Sequence, residues 1–180
     1  MKVSAMITLA GSLILAVVGL SAVATSAQGP NDAQIAAIVA AANQVDIDAA
    51  KLAKSKSSNP DVKDFAQLMI TDHSGVNKAA TNLVNKLHVV PQENPTSQSL
   101  KKSGEQTIAK LKGLNGSAFD KAYVNHEVAY HEQVIDAVDN TLIPGAQNEE
   151  LKALLIKVRP VLVAHLEHAK HLQALLTQKS

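Results

Sequence analysis

The stretch "VKDFAQLMITDHSGVNKAATNLVNKL", Val62 to Leu87, decides the fold. Its apolar positions alternate at four- and three-residue steps: Val62, Ala66, Met69, then Val76, Ala80, Leu83 and Leu87. That period places them on one stripe of a long helix. One position on the stripe, His73, is polar, and it follows directly on Asp72. Upstream, "SNPD" supplies a start signal: Asn59 to cap, Pro60 for the first helical position and Asp61 for the positive end of the dipole. Downstream, "HVVPQENPTSQS" ends the helix with two prolines.

The same spacing predicts three more long helices. The first covers about Asn31 to Lys56, with a seam of Ile35, Ile38, Ala42, Val45, Ala49 and Leu52. The third covers Ser117 to Leu142, through Val124, Val128, His131, Ile135, Val138 and Leu142. The fourth covers about Asn148 to Gln178, through Leu151, Leu155, Val158, Leu162, His165, Ala169, Leu172 and Leu176. A shorter piece, Leu100 to Lys112, lies between the second and third, and Gly113, Gly116, Ser117 and Asp120 mark the change from one helix to the next. Pro160 interrupts the hydrogen-bond ladder of the fourth helix, and a kink is expected there. No convincing strand pattern occurs. The expected fold is all-α: an antiparallel four-helix bundle with a short extra helix in the connection between the second and third long helices.

All seam positions on these four helices are Ala, Val, Ile, Leu or Met except three, and those three are histidines on three different helices: His73, His131 and His165. A neutral imidazole has one donor and one acceptor to satisfy, so burying it without partners costs about 1–3 kcal/mol per orphaned group. Two solutions are open. One is a polar layer in which the histidines bond to Asp46, Asp72 or Glu127 and fix the register of the bundle. The other is a metal ion, since imidazole suits zinc, copper and iron, and three histidines with a carboxylate form a reasonable ligand set.

The candidate carboxylates are Asp46, Asp48 and Glu127. Asp46 and Asp48 each sit about 80° from the first helix's seam centre, so either could reach inward. Reflecting His73 through a turn near residue 58 sets it opposite residue 43, within a turn of Asp46. Reflecting His165 through a turn near residue 145 sets it opposite about residue 125, nearer Glu127 than His131. The three histidines therefore share a site only if that last loop shifts the register. Asp72 is either an acceptor that orients an imidazole or a polar flank residue. His88 reads as a helix-end cation and His126 lies off the seam; His168 and His171 rotate onto what reads as a solvated face.

The first residues carry a separate signal. Lys2 precedes an apolar run, "MITLAGSLILAVVGLSAVA", that ends in small-residue sites at Ala24 and Ala27. Residues 1–27 thus read as a signal peptide cleaved after Ala24 or Ala27, leaving one helical domain over 28–180 and a periplasmic or secreted location. Without cysteine, an oxidising compartment adds no disulfide. The whole chain has 17 Lys plus Arg against 16 Asp plus Glu; loss of Lys2 balances them at 16 each. A neutral domain has no field to gather phosphate backbones or anionic lipid, which argues against nucleic acid as a partner, and once the apolar leader is removed no stable membrane insertion is expected. A protein partner or homo-oligomer is not indicated. No phosphate loop, nucleophile elbow or dinucleotide fingerprint occurs.

Three segments, "IDAAKLAKSKSSNPDVKDFAQLMITDHS", "AFDKAYVNHEVAYHEQVI" and "RPVLVAHLEHAKHL", together resemble the signatures of an exported bacterial domain-of-unknown-function family, family 4142. Its members are often labelled predicted outer membrane proteins and are placed among ferritin-like four-helix bundles. The resemblance covers roughly residues 31–176 and rests on Pro60 to Phe65, Met69 with Asp72 and His73, Phe119 with Asp120, His131, Pro160 and His165. It implies a ferritin-like bundle. It does not bring the usual di-iron ligands, because the residues three before His73, His131 and His165 are Ile70, Val128 and Leu162, so no Glu-x-x-His pairing exists at the seam.

An outer-membrane span would need alternating strands that this sequence lacks. Two functional readings follow. The first is a non-catalytic cell-envelope or stress-related bundle with structural histidines. The second is a metal-binding ferritin-like protein that uses the seam histidines for zinc, copper or iron.

Overall fold

A computed structural model describes residues 29–178 of the chain; the expected signal peptide and its cleavage sites lie outside the described residues. The described chain is all-helical, with α1 at Asp32–Lys56, α2 at Pro60–Lys86, α3 at Pro95–Lys112 and α4 at Gly116–Ala137. A π-helical turn, Val138–Leu142, extends α4 into the three-residue α5 at Ile143–Gly145, and α6 follows at Glu149–Gln178. No strand occurs among the described residues. None of the described helices is long and apolar enough to cross a membrane.

The helix starts follow from local chemistry. Asn31 caps α1 in a reciprocal box with Gln34, and Asn59 accepts from the Asp61 amide ahead of Pro60. Asn94 caps α3 by accepting from the amides of Thr96 and Ser97, so α3 begins five residues earlier than the apolar pattern predicts. The capping residue and Pro95 set this start, and neither contributes to an apolar seam. At the far end of α2, His88 takes the left-handed conformation (φ 54°), with its amide on the Asn85 carbonyl and the Val89 amide on that of Val84. This is the helix-terminating pattern in which glycine is usual. The expected start of α4 differs too. Gly116 opens the helix with φ +55°, and Asp120 instead accepts from the Ser57 hydroxyl at 2.6 Å, tying the α1–α2 turn to α4. α6 stays helical through Pro160, whose ring faces solvent.

The long helices close on one another: α1 packs on α2, α2 on α6, α6 on α4 and α4 on α1, while α3 lies along α1. A Cβ at Gly104 would stand 2.7 Å from Val45 Cγ2, so the absence of a side chain lets α3 approach α1 this closely. Asp32 joins the other end by accepting from the Gln147 and Asn148 amides. The core has two apolar clusters. One holds Phe65, Met69, Phe119, Tyr123, Val124 and Leu172; the other holds Ile35, Ile38, Val138, Leu142, Leu155 and Leu162. Between them lies a layer of buried polar side chains.

Candidate metal centre

Four helices contribute to that layer: Asn43 and Asp46 from α1, Asp72 and His73 from α2, Glu127 and His131 from α4, and His165 from α6. Asp46, His73, Glu127, His131 and His165 are all buried. Each imidazole is held by one nitrogen. The Asn43 amide donates to the Val39 carbonyl at 3.0 Å, which turns its Oδ1 toward His73, and His73 Nδ1–H donates to it at 2.8 Å. His131 Nδ1–H donates to the Glu127 backbone carbonyl at 2.9 Å. His165 Nε2–H donates to Asp72 Oδ2 at 2.9 Å. These acceptors assign the tautomers of the neutral rings.

The remaining nitrogens, His73 Nε2, His131 Nε2 and His165 Nδ1, have no hydrogen-bond partner among the described residues. The three histidines themselves cluster: each offers a ligand atom within 4.8 Å of the others, and their ring centroids are 5.2–5.7 Å apart. Asp46 Oδ2 lies 3.2 Å from His73 Nε2 and 3.6 Å from His131 Nε2. Asp46, Glu127 and His131 form a second group of potential ligands within the same distance, sharing His131 with the first. The two carboxyl groups and the adjoining Tyr123 hydroxyl lie against one another without a hydrogen bond of regular geometry. In the assigned tautomers, the lone pairs of His73 Nε2 and His131 Nε2 face the Asp46 carboxylate, and His165 lies within ligand-sharing distance of both rings. A cation satisfies that arrangement directly.

Burial governs the electrostatics. It lowers His73 to about 3 and His131 to about 4, with neighbouring histidines adding to the effect, and it lowers His165 against the opposing pull of Asp72. The rings are therefore neutral at neutral pH, the form in which imidazole binds metal. Burial raises Asp46, with Glu127 opposing, and raises Glu127, with the Asp46 charge adding to it. Tyr123 and Tyr130 are pushed up by burial and then by these two carboxylates. Without a cation, the two carboxyls tend to retain protons.

The structure brings together His73, His131, His165, Asp46 and Glu127. Asp48 does not join them: it is exposed and accepts from the Gln44 amide, because two residues along a helix turn it about 200° from Asp46. His131 and His165 do share the layer, and the register shift comes from the π-helical turn and α5, which carry the chain past residue 145 before it reverses at 146–148. Asp72 orients His165 on another helix, not its neighbour His73. Asn43 escaped the sequence reading as a site residue, although the reflection through residue 58 falls on it. Tyr130, which donates to the Ala42 carbonyl and packs edge-on to His131, also escaped it. Among the other histidines, His126 stacks on Tyr130, while His168 sits edge-on to Phe65 and His171 is exposed.

A family model described as a domain of unknown function (DUF4142) matches residues 19–172, and the chain belongs to that family. No curated protein matches, and no solved structure matches.

Proposed function

We propose that the chain is an exported, ferritin-like four-helix bundle that holds a transition-metal ion between its helices. His73 Nε2, His131 Nε2, His165 Nδ1 and Asp46 serve as ligands, with Glu127 beside them. The observation that carries this reading is the clustering of three histidines, each with one unpartnered nitrogen and two of them facing the Asp46 carboxylate, with each ring already fixed from behind by Asn43, the Glu127 carbonyl or Asp72. Backing acceptors of this kind are what metal-bound histidines require, since they set the tautomer and the ring's aim. The mixed nitrogen and oxygen set suits zinc, copper or iron, and the missing Glu-x-x-His pairs argue against ferroxidase chemistry of the usual di-iron kind. The role is metal binding in the periplasm or outside the cell, after cleavage of the signal peptide at Ala24 or Ala27.

A second reading keeps the histidines structural, in a non-catalytic envelope protein. Its support is the upward shift of Asp46, which when protonated can donate to His73 Nε2 across 3.2 Å. Elemental analysis of untagged protein separates the two. The metal reading expects close to one ion per chain in the wild type and none in His73→Ala. Metal-induced melting shifts of equal size in both proteins would refute the seam site.

A further inference from the structure

Directly beside the polar layer, toward the Leu142 and Leu151 end, lies a partly enclosed cavity of about 50 Å³, about half of whose lining residues are half-buried. Its walls are aliphatic except for Asn43: they include Val76, Val134, Leu155 and Leu162. Four of the lining residues stand one helical turn from four residues of the layer. Asn43 is three residues from Asp46, Val76 three from His73, Val134 three from His131 and Leu162 three from His165. The cavity is therefore the next storey of the same bundle.

The way in is also visible. Ala36, Ala80 and Val84 line both this cavity and the large groove between α1, α2 and α3. The partition between solvent and cavity at that point is one layer of side chains, two of them reduced to a methyl group. Beyond His73, α2 has no fully buried residue.

Size and polarity fix the occupant. A volume of this order holds a molecule of very few heavy atoms, and a cavity with almost no polar lining stays dry while accepting apolar guests. Ions and charged metabolites would lose their hydration without replacement. We infer that the cavity binds a small uncharged diatomic gas of the dioxygen or nitric oxide class, entering past Ala36 and Ala80, and admits it to the histidine layer. The purpose of that access rests on the metal reading above; the binding and the access do not require it.

Two probes test the proposal on metal-free protein, so that failure of metal binding is seen separately by elemental analysis. Crystals pressurised with xenon should show an atom among Val76, Val134 and Leu155, and Val134→Phe should remove it. The chain has no tryptophan and two tyrosines, Tyr123 beside Glu127 and Tyr130 against His131. Tyr130 also lines an open groove between α3 and α4, so collisional quenching by dioxygen of the wholly buried Tyr123, followed in a Tyr130→Phe background, reports arrival at the layer. Ala80→Phe, or Ala36→Leu from the opposite helix, should lower the dioxygen quenching constant several-fold, whereas Ala79→Phe on the exposed face of α2 should leave it unchanged. Circular dichroism confirms folding of each variant. Absence of xenon from the wild-type cavity, or dioxygen quenching that is the same in the Tyr130→Phe parent and both plugged variants, would overturn the inference.

Discussion

The two halves of the core differ in both composition and fit. Toward the α1–α2 turn, Phe65, Phe119, Tyr123, Val62 and Met69 are wholly buried, and Phe65 and Phe119 both pack on Tyr123. Toward the other end the core is aliphatic, α2 is only half-buried, and a cavity remains. The aromatic half closes one side of the histidine layer and fixes its helices. The aliphatic half leaves the other side approachable. A buried site needs both properties, a rigid wall to aim its ligands and a looser one through which a small molecule can pass.

Truncation tests that contrast most strongly. Phe65→Ala should cost about 3–5 kcal/mol, since it empties a fully buried ring position from close-packed surroundings. Leu155→Ala, against the cavity, should fall near the lower end of the roughly 2–5 kcal/mol range for such changes. Denaturant midpoints of the metal-free proteins measure both. Equal costs would mean that the halves are packed alike.

Metal sharpens the comparison next, because the layer binds α1, α2, α4 and α6 together. At a free ion concentration about a hundred times Kd, a native-state ligand adds about 2.7 kcal/mol of stability. His73→Ala and His165→Ala should abolish that gain with zinc or copper, as read by melting with and without the ion. His73→Leu should also lose it without exceeding the metal-free wild type in stability, because it removes the orphaned Nε2 but leaves the buried Asn43 Oδ1 without its donor. Next in size is Asp72→Asn. This change keeps the shape but removes the charge facing His165 Nε2, and it should weaken metal binding about 10- to 100-fold without removing a ligand. Unchanged affinity would place His165 outside the site.

How much of this was legible follows from what each feature depends on. The helices and the three seam histidines are periodic, so a stripe of Ala, Val, Ile, Leu and Met with three exceptions exposes them directly. The capping residues Asn31, Asn59 and Asn94 are local in sequence, although Asn94 went unused because no apolar seam follows it. The pairing of His131 with His165 was not legible, because it depends on the π-helical turn at Val138–Leu142, whose extra residue per turn leaves no mark in an apolar pattern. Asp46 and Asp48 both sat about 80° from the seam centre, on opposite flanks. The packing of α4 and α6 around α1 decides which flank becomes interior.

pH should distinguish the polar layer from both apolar clusters. In the metal-free protein His73, His126 and His131 are lowered to about 3, 4 and 4, mainly by burial, and His165 is lowered as well. Groups with depressed folded values stabilise fully above the unfolded histidine value near 6.5, and that contribution is lost as pH falls toward 4. Asp46 and Glu127 are raised, so their contribution is present below the unfolded carboxyl range and is lost as pH rises toward neutrality. Four histidines outweigh two carboxyls below about pH 6.5, where each net proton changes stability by about 1.4 kcal/mol per pH unit. Metal-free stability should therefore peak near pH 6.5 and fall on the acid side. A flat profile from pH 5 to 7 would mean that water reaches the layer from the aliphatic side and screens it.

The smallest effect should come from Asp48, which the sequence could not separate from Asp46. Its carboxylate is exposed, accepts from Gln44 one turn earlier, and faces the groove between α1, α2 and α3. Removing it as Asp48→Asn takes away a solvent-screened charge and at most one exposed hydrogen bond, a change within about 0.5 kcal/mol for most surface sites. Metal affinity and stoichiometry should stay at wild-type values. Asp46→Asn, two residues away, should instead lose a ligand oxygen's charge, and with it most of the affinity. Calorimetric titration of zinc or copper into the two asparagine variants compares the inner and outer flanks of one helix with the same chemical change. If Asp48→Asn weakens binding as much as Asp46→Asn, the ion sits at the groove and the histidine layer is a structural polar core.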